Sequence, residues 1–368
     1  MLPDPRPYFA ELPDPRRETR NKLHKLNDIL MIVFCAVLSG IEDWVGMEEF
    51  GKQKEEWLRG FLELPNGIPS HDTLSDVLGR LAPGAFTEAF LRWVAVAIPS
   101  LAGEQVCLDG KRLRGSRVGD QAVHLVSAYA AKARLVLTQQ AVADKTNEIT
   151  AMPELLSLLD VRGAVVTMDA MGCQKAIAQD VIDAGADYIL VLKDNHPGLH
   201  DDVRLWLDTE TAQGRLPQQE TVDKGHGRIE IRRYALSDEI AWLEQQSEWV
   251  GLQAVGRVES TRIIGETTTT EYRYYLCSLT DPACFADTVR RHWDTENGQH
   301  WVLDVQFGED ANRAHQNHSA ENLALIRRMA LNVIRHNGSS QDSLRRRKLR
   351  ASLNDEYRNQ LIFGPKLT

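Results

Sequence analysis

The stretch "GAVVTMDAMGCQKAIAQDVIDAGADYILVLK" (163–193) decides the fold. Its first apolar run, "VVTM", is short and rich in Val, as a buried strand is. "CQKAIAQDVIDAG" follows with helical spacing and ends on Gly185, a helix-stopping residue. "ADYILVLK" is a second buried strand. Strand, helix, strand in about thirty residues is the βαβ unit of a parallel sheet with covering helices. Working backward, "EQVCLDG" (104–110), "QAVHLVSAYA" (121–130) and "RLVLTQQAVA" (134–143) are strand-like, and "EITAMPELLSLLD" (148–160) is helical. The predicted order is three strands, helix, strand, helix, strand.

Two of these strands end alike, "VCLD" at Asp109 and "VVTMD" at Asp169. Chemistry in open α/β sheets collects beyond the carboxyl ends of strands. One such carboxylate is commonly a cap or turn residue; two, each followed by a small residue, point to a shared site.

The flanks differ in character. Residues 1–20 repeat "LPDPR" and predict an extended arm, because proline blocks helix continuation. Residues 21–103 read as short helices joined by tight turns, a pattern that suits a helix-turn-helix unit or a simple packed core. The core occupies 104–193. Residues 194–281 carry "GHGRIEIRRYAL", "WVGLQAVGRVEST" and "TTTTEYRYYLCSL", which predict an all-β insertion. Helices resume over 282–338, and 339–368 is a basic tail with "LRRRKLR" (344–350). That run is either a solvated helix face or a phosphate contact. The fold class is therefore α/β, with a β-rich insertion and a helical N-terminal domain.

Composition sets limits. A net charge of −9 over 368 residues does not mark a general nucleic-acid binder, although charge can be segregated along a chain. The apolar run Ile29–Ile41 is too short to cross a bilayer and reads as a buried helix. Five scattered cysteines without a CxxC pair fit a reducing cytoplasm and argue against a structural zinc knuckle.

"RRHWDTENGQHWVLDVQFGED" (290–310) holds Glu296 between His292 and His300. Read as one helix, Phe285, Val289, Trp293, Glu296, His300 and Leu303 trace one face. A carboxylate on that stripe is costly unless it is paired, hydrogen-bonded or metal-bound. Either it is a structural Glu paired with a neighbouring histidine, or it is a metal ligand brought to the sheet. Histidines eight residues apart do not make the HExxH zinc motif. Carboxylates from separate segments make an oxygen-rich site suited to Mg²⁺ or Mn²⁺.

Several motifs in order resemble DDE transposases of the ISAs1 group, related to IS4-type elements and H-repeat-associated proteins. They are "KLHKLNDILMIVFCAVLSG", "GIPSHDTLSDVLGRL", "LDGKRLRGS", "TMDAMGCQKAIA", "LKDNHPGL", "DKGHGRIEIRR", "HWDTENGQHWVLDVQFGEDANR" and "AENLALIRRMALNVI". The resemblance covers nearly the whole chain. It implies an RNase H-like catalytic core whose triad is Asp109, Asp169 and Glu296, with Mg²⁺ or Mn²⁺ as cofactor, two ions in all. Where the IS4 class has its YREK signature, this chain has Val289, His292 and Leu303 at the Tyr, Arg and Lys positions, so those roles are not carried over. The implied activity is cleavage at a transposon end followed by joining of the freed 3'-hydroxyl to target DNA. The implied partners are transposon ends and target DNA, handled by a homodimer in the cytoplasm, away from any membrane. Residues 21–103 are the expected end-binding domain. Lys111, Arg112, Lys193, His196, His226, Arg228, His292 and His300 are candidates for DNA contact; ordinary surface or turn roles account for them as well. Asp304, Glu309 and Asp310 are the reserve carboxylates. A DNA-gripping relic that does not cut and a metallonuclease that never joins are the competing readings.

Overall fold

The computed structural model describes residues 1–19, 22–117, 122–142, 148–225, 227–338 and 341–364, apart from the side chains of residues 294, 296 and 297. The chain opens with α1 (Arg6–Phe9), α2 (Leu26–Leu38), α3 (Trp44–Gln53), α4 (Glu55–Arg59), α5 (His71–Arg80) and α6 (Pro83–Ala95). Then come β1 (Gln105–Arg112), β2 (His124–Ala130), β3 (Leu135–Val142), α7 (Glu148–Ser157), β4 (Val165–Met168), α8 (Lys175–Asp183) and β5 (Asp187–Leu192). They are followed by α9 (Pro197–Ala212), β6 (Gln218–Gly225), β7 (Arg228–Ser237), β8 (Ala254–Ile264) and β9 (Thr267–Cys277). The chain ends with α10 (Pro282–Thr295), a π-turn (Glu296–His300), α11 (Trp301–Phe307), α12 (Ser319–His336), α13 (Leu344–Leu353) and α14 (Asp355–Phe363).

All nine strands form one sheet, ordered β3-β2-β1-β4-β5-β9-β8-β7-β6. β4 and β5 run parallel to β1, whereas β2 is antiparallel to it. The β-rich segment joins this sheet through β9, which lies antiparallel beside β5. One face is covered by α10, whose Phe285 ring sits where Gly256 of β8 has no side chain; a Cβ there would meet the ring at 2.4 Å. Phe285, Ala286 and Val289 close a core with Ile189, Tyr275 and Cys277 on this face. The other face shares the large core that runs into the N-terminal helices.

Three expectations are corrected. The first residues are not extended throughout: α1 makes one helical turn with Pro7 near its start, where proline is tolerated, and Leu2 and Phe9 are buried. The segment after residue 194 is not all β, because α9 precedes the strands, burying Leu199, Val203 and Leu207 at four-residue spacing. The C-terminal residues are two helices rather than a tail. Ser343 caps α13, Lys348 reaches the Gln306 carbonyl, and Arg358 is fully buried against Trp57, with its charge centre 4.1 Å from the ring centroid.

The N-terminal helices pack on α12. Buried Asn322 of α12 donates from Nδ2 to the carbonyls of Leu78 (2.7 Å) and Leu81 (2.9 Å), the last turn of α5 and its cap. α12 also shields the sheet edge. The Asn332 amide pairs with both N–H and C=O of Val136 in β3, at 2.9 Å each, as a neighbouring strand would.

Candidate active site

The site begins with strand register. Leu108 of β1 is paired with Met168 of β4 in the parallel ladder. The next residues, Asp109 and Asp169, are therefore neighbours. Only Asp169 leaves the sheet there; the expectation that the first strand also ends at its aspartate is corrected, because β1 stays paired with β2 through Asp109 and on to Arg112. Side chains alternate along a strand, so each aspartate shares a face with the residue two before it. Those residues, Cys107 and Thr167, touch: Thr167 Oγ1 lies 3.2 Å from Cys107 Sγ. Asp169 accepts a hydrogen bond from the Met171 N–H (3.0 Å) and caps a single 3₁₀ turn at Ala170–Gly172. Behind Asp109, on the opposite face, Gly110 makes room for buried Glu148, which is paired with His124; a Cβ at Gly110 would lie 2.5 Å from that carboxyl group.

Helix α10 crosses the aspartate face. Thr167 Oγ1 and His292 Nδ1 share a hydrogen bond of 2.9 Å, and Gln105 Nε2 donates to the Thr288 carbonyl at 2.9 Å. The expectation of one uninterrupted helix is corrected here: Glu296–His300 form a π-turn between α10 and α11. Such turns are rare and recur at functional sites. The turn is tied to the sheet. Buried Gln299 donates from Nε2 to Ser127 Oγ (2.9 Å), and Ser127 is the cross-strand partner of Asp109. His300 Nδ1 lies 3.4 Å from Asp109 Oδ2. Arg335 of α12 donates to the Gly298 carbonyl and, at 3.2 Å, to the Tyr129 hydroxyl. Glu296 opens the turn; its side chain lies outside the described residues.

Electrostatics divide the neighbourhood. Burial, reinforced by the Arg273 charge, pushes His292 down to about 4. Burial together with Lys111 and Arg328 pushes His300 down to about 3. Both shifts favour the neutral imidazole; His300 lies beside the Asp109 carboxylate, whereas His292 faces the Thr167 hydroxyl. Lys111, two residues beyond Asp109, is buried between Asp304 and Glu309, the latter at 3.1 Å. Glu309 is fully buried and also paired with buried Arg328 at 2.6 Å. Burial raises the Glu309 carboxyl, but Arg328, Lys111 and Arg327 outweigh it and bring it to about 2.

The remaining candidates fall in different places. Lys193 is exposed at the end of β5 and lines a cleft of ≈ 330 Å³ with Asp169 and His292. His196 is occupied structurally: Nε2 donates to the Cys173 carbonyl at 2.8 Å, and the ring meets Trp249 edge-on. The Lys111 charge is matched inside the protein, and Arg112 is exposed at the end of β1. Arg228 pairs with Glu230 at 3.0 Å beside a hairpin turn and is not among the residues lining that cleft. His226 lies outside the described residues. Sequence reasoning missed Arg273, which lines the cleft with its charge centre 3.6 Å from the Trp293 ring centroid. The alternation in "EYRYYLC" carried the signal, placing Arg273 on the face of buried Tyr275. Among the described residues, no three His, Cys, Asp or Glu side chains are grouped to hold a metal.

A family model described as "Transposase DDE domain" matches residues 102–333, and its companion, "DDE_Tnp_1-associated", matches 7–94. The chain belongs to the DDE transposase family. Among its relatives, the putative transposase YncI of Escherichia coli O157:H7 is 36% identical over 96% of this chain and 93% of its own length. The H repeat-associated putative transposase YhhI of Escherichia coli K12 is 34% identical over 98% of both chains. An uncharacterized protein in the dhlA 3' region of Xanthobacter autotrophicus is 49% identical over 77% of this chain and 97% of its own. Membership in the DDE transposase family thus spans both the sheet and the N-terminal helices.

Proposed function

We propose that this transposase cuts DNA at the ends of an insertion sequence and joins the freed ends to target DNA, with Asp109, Asp169 and Glu296 as its catalytic carboxylates. The observation that carries the proposal is the Leu108–Met168 pairing, which makes neighbours of Asp109 and Asp169 on the face crossed by α10, the helix that leads into the Glu296 turn. The order β3-β2-β1-β4-β5, in which only β2 runs opposite to the other four, supports an RNase H-like core.

The hard oxygen donors of three carboxylates suit Mg²⁺ or Mn²⁺ better than zinc. Asp109, Asp169 and Glu296 would hold the ions, which when bound supply charge neutralisation and water activation for phosphoryl displacement. His300 Nδ1, close to Asp109 Oδ2, steadies that carboxylate. Thr167 and His292 hold α10 over β4. Lys193 and Arg273, in the cleft with Asp169, present positive charge to a DNA phosphate. The reaction runs in two displacements: water attacks phosphorus at the transposon end and releases a 3'-hydroxyl, which then attacks a target phosphodiester. Residues 21–103 are assigned to end recognition, and two protomers to the paired ends.

The test is a strand-transfer assay on labelled DNA carrying the inverted repeats that flank the gene, with Mg²⁺. A transposase cleaves and joins; nicking without joining marks a nuclease, and binding without either marks a relic.

A further inference from the structure

The π-turn that begins at Glu296 is held by side chains to which the catalytic reading assigns no task. A π-turn departs from the regular helical ladder and persists only where its surroundings favour it. Here two anchors converge on two consecutive residues. Gln299 is fully buried, and its Nε2 bonds to Ser127 Oγ at 2.9 Å. Ser127 is itself buried in β2 directly across from Asp109. One residue earlier, the Gly298 carbonyl accepts from Arg335 Nη2, while Arg335 Nη1 reaches Tyr129 in the same strand. Tyr129 stands across from Cys107, two residues before Asp109. The turn is thus fastened to β2 at the two positions that face Asp109 and Cys107 of β1.

We infer that Gln299 and Arg335 are positioning residues that fix the Glu296 turn relative to Asp109 and so set the affinity of the carboxylate site for its divalent cation. This rests on the triad assignment above. A merely structural glutamine would be served by any buried partner. This one instead links the turn to the residue opposite a catalytic aspartate, so a change of fractions of an ångström alters the ligand set rather than the global fold. Supporting contacts of this kind commonly tune metal affinity without touching the metal.

The experiment uses the full-length protein and two readouts. Calorimetric titration with Mn²⁺ alone reports metal affinity without turnover, and cleavage of a labelled transposon end reports the metal concentration for half-maximal rate. Gln299→Leu and Ser127→Ala should each weaken Mn²⁺ binding about tenfold, the lower end of what supporting contacts contribute. The double variant should be no weaker than either single one, because both remove one bond. Arg335→Lys should retain more affinity than Arg335→Met, and excess Mn²⁺ should restore cleavage in each. Should Gln299→Leu fold poorly, Ser127→Ala carries the test alone. If Gln299→Leu and Ser127→Ala bind Mn²⁺ like the parent while only their melting temperatures fall, the residues are structural and the inference is overturned. Should Glu296→Gln bind Mn²⁺ and cleave like the parent, the triad itself fails, which is a separate outcome.

Discussion

Leu108 and Met168 face each other across the parallel β1–β4 ladder, and this one pairing makes neighbours of Asp109 and Asp169 although sixty residues of chain separate them. A shift of one residue in that register would send one of the two side chains to the other face of the sheet. The account of the site therefore depends on the ladder as much as on the carboxylates.

Asp109→Asn and Asp169→Asn should each reduce cleavage by a factor of about 10³ or more, since ligand charge is removed where transition-state charge must be balanced. Asp169→Asn should melt close to the parent, because asparagine caps a turn about as well as aspartate. Thermal melts and end-cleavage assays on the same preparations check both statements.

Glu309 belongs to the scaffold. Its carboxylate lies between Arg328 and Lys111, so Glu309→Gln leaves buried positive charge unmatched and should cost roughly 3–5 kcal/mol of stability. Its folded value, about 2, is below the ordinary 4.5. The contribution is therefore complete above pH 4.5 and is lost as pH falls toward 2. Denaturant melts of parent and variant should converge over that window; a variant as stable as the parent at pH 7 would refute the assignment.

His292 acts over a higher range. Its folded value of about 4 lies below the ordinary 6.5, so the unfolded chain binds the proton more readily between these limits. Stability from the neutral imidazole is present above pH 6.5 and is lost as pH falls toward 4, an effect of about 3 kcal/mol. His292→Gln should flatten this part of the stability profile. It should also slow cleavage without abolishing it, because the ring holds Thr167.

End recognition by residues 21–103 cannot be tested by deleting them. Asn322 of α12 is bonded to the carbonyls of Leu78 and Leu81, and the N-terminal helices share the main core. A chain lacking them should be insoluble, and Asn322→Ala alone should destabilise by about 2 kcal/mol, with two buried carbonyls left unpaired. Charge reversal at exposed Arg80 or Lys52 is the informative change. Loss of specific mobility shift with an unchanged melt would locate the reader there, whereas unaltered binding by both variants would place it elsewhere.

The sequence disclosed those parts of the molecule in which one local pattern dominates. β4 and β5 are apolar runs between clear stops, and Asp169 stands out at the end of β4, whereas "VCLD" does not reveal that β1 continues through "GKR". α9 was hidden because its three buried residues are diluted by charged and polar neighbours and follow a His-Pro pair that reads as a turn. The π-turn was invisible for a different reason: a helical wheel assumes the very spacing that the turn breaks. Lys111 reads equally as a phosphate contact or a surface charge, because "DGKR" does not reveal that Asp304 and Glu309, some two hundred residues away, fold against it. Contacts set by tertiary packing leave no trace in short-range periodicity.

The most direct measurement is cleavage and joining of a labelled transposon end by Glu296→Gln with Mg²⁺. The account predicts no cleaved or joined product, with the melt and specific end binding of the parent retained. Cleavage at the parental rate would contradict it, and of the reserve carboxylates Asp304 and Asp310 would then be the ones to test, since Glu309 is held by Arg328 and Lys111.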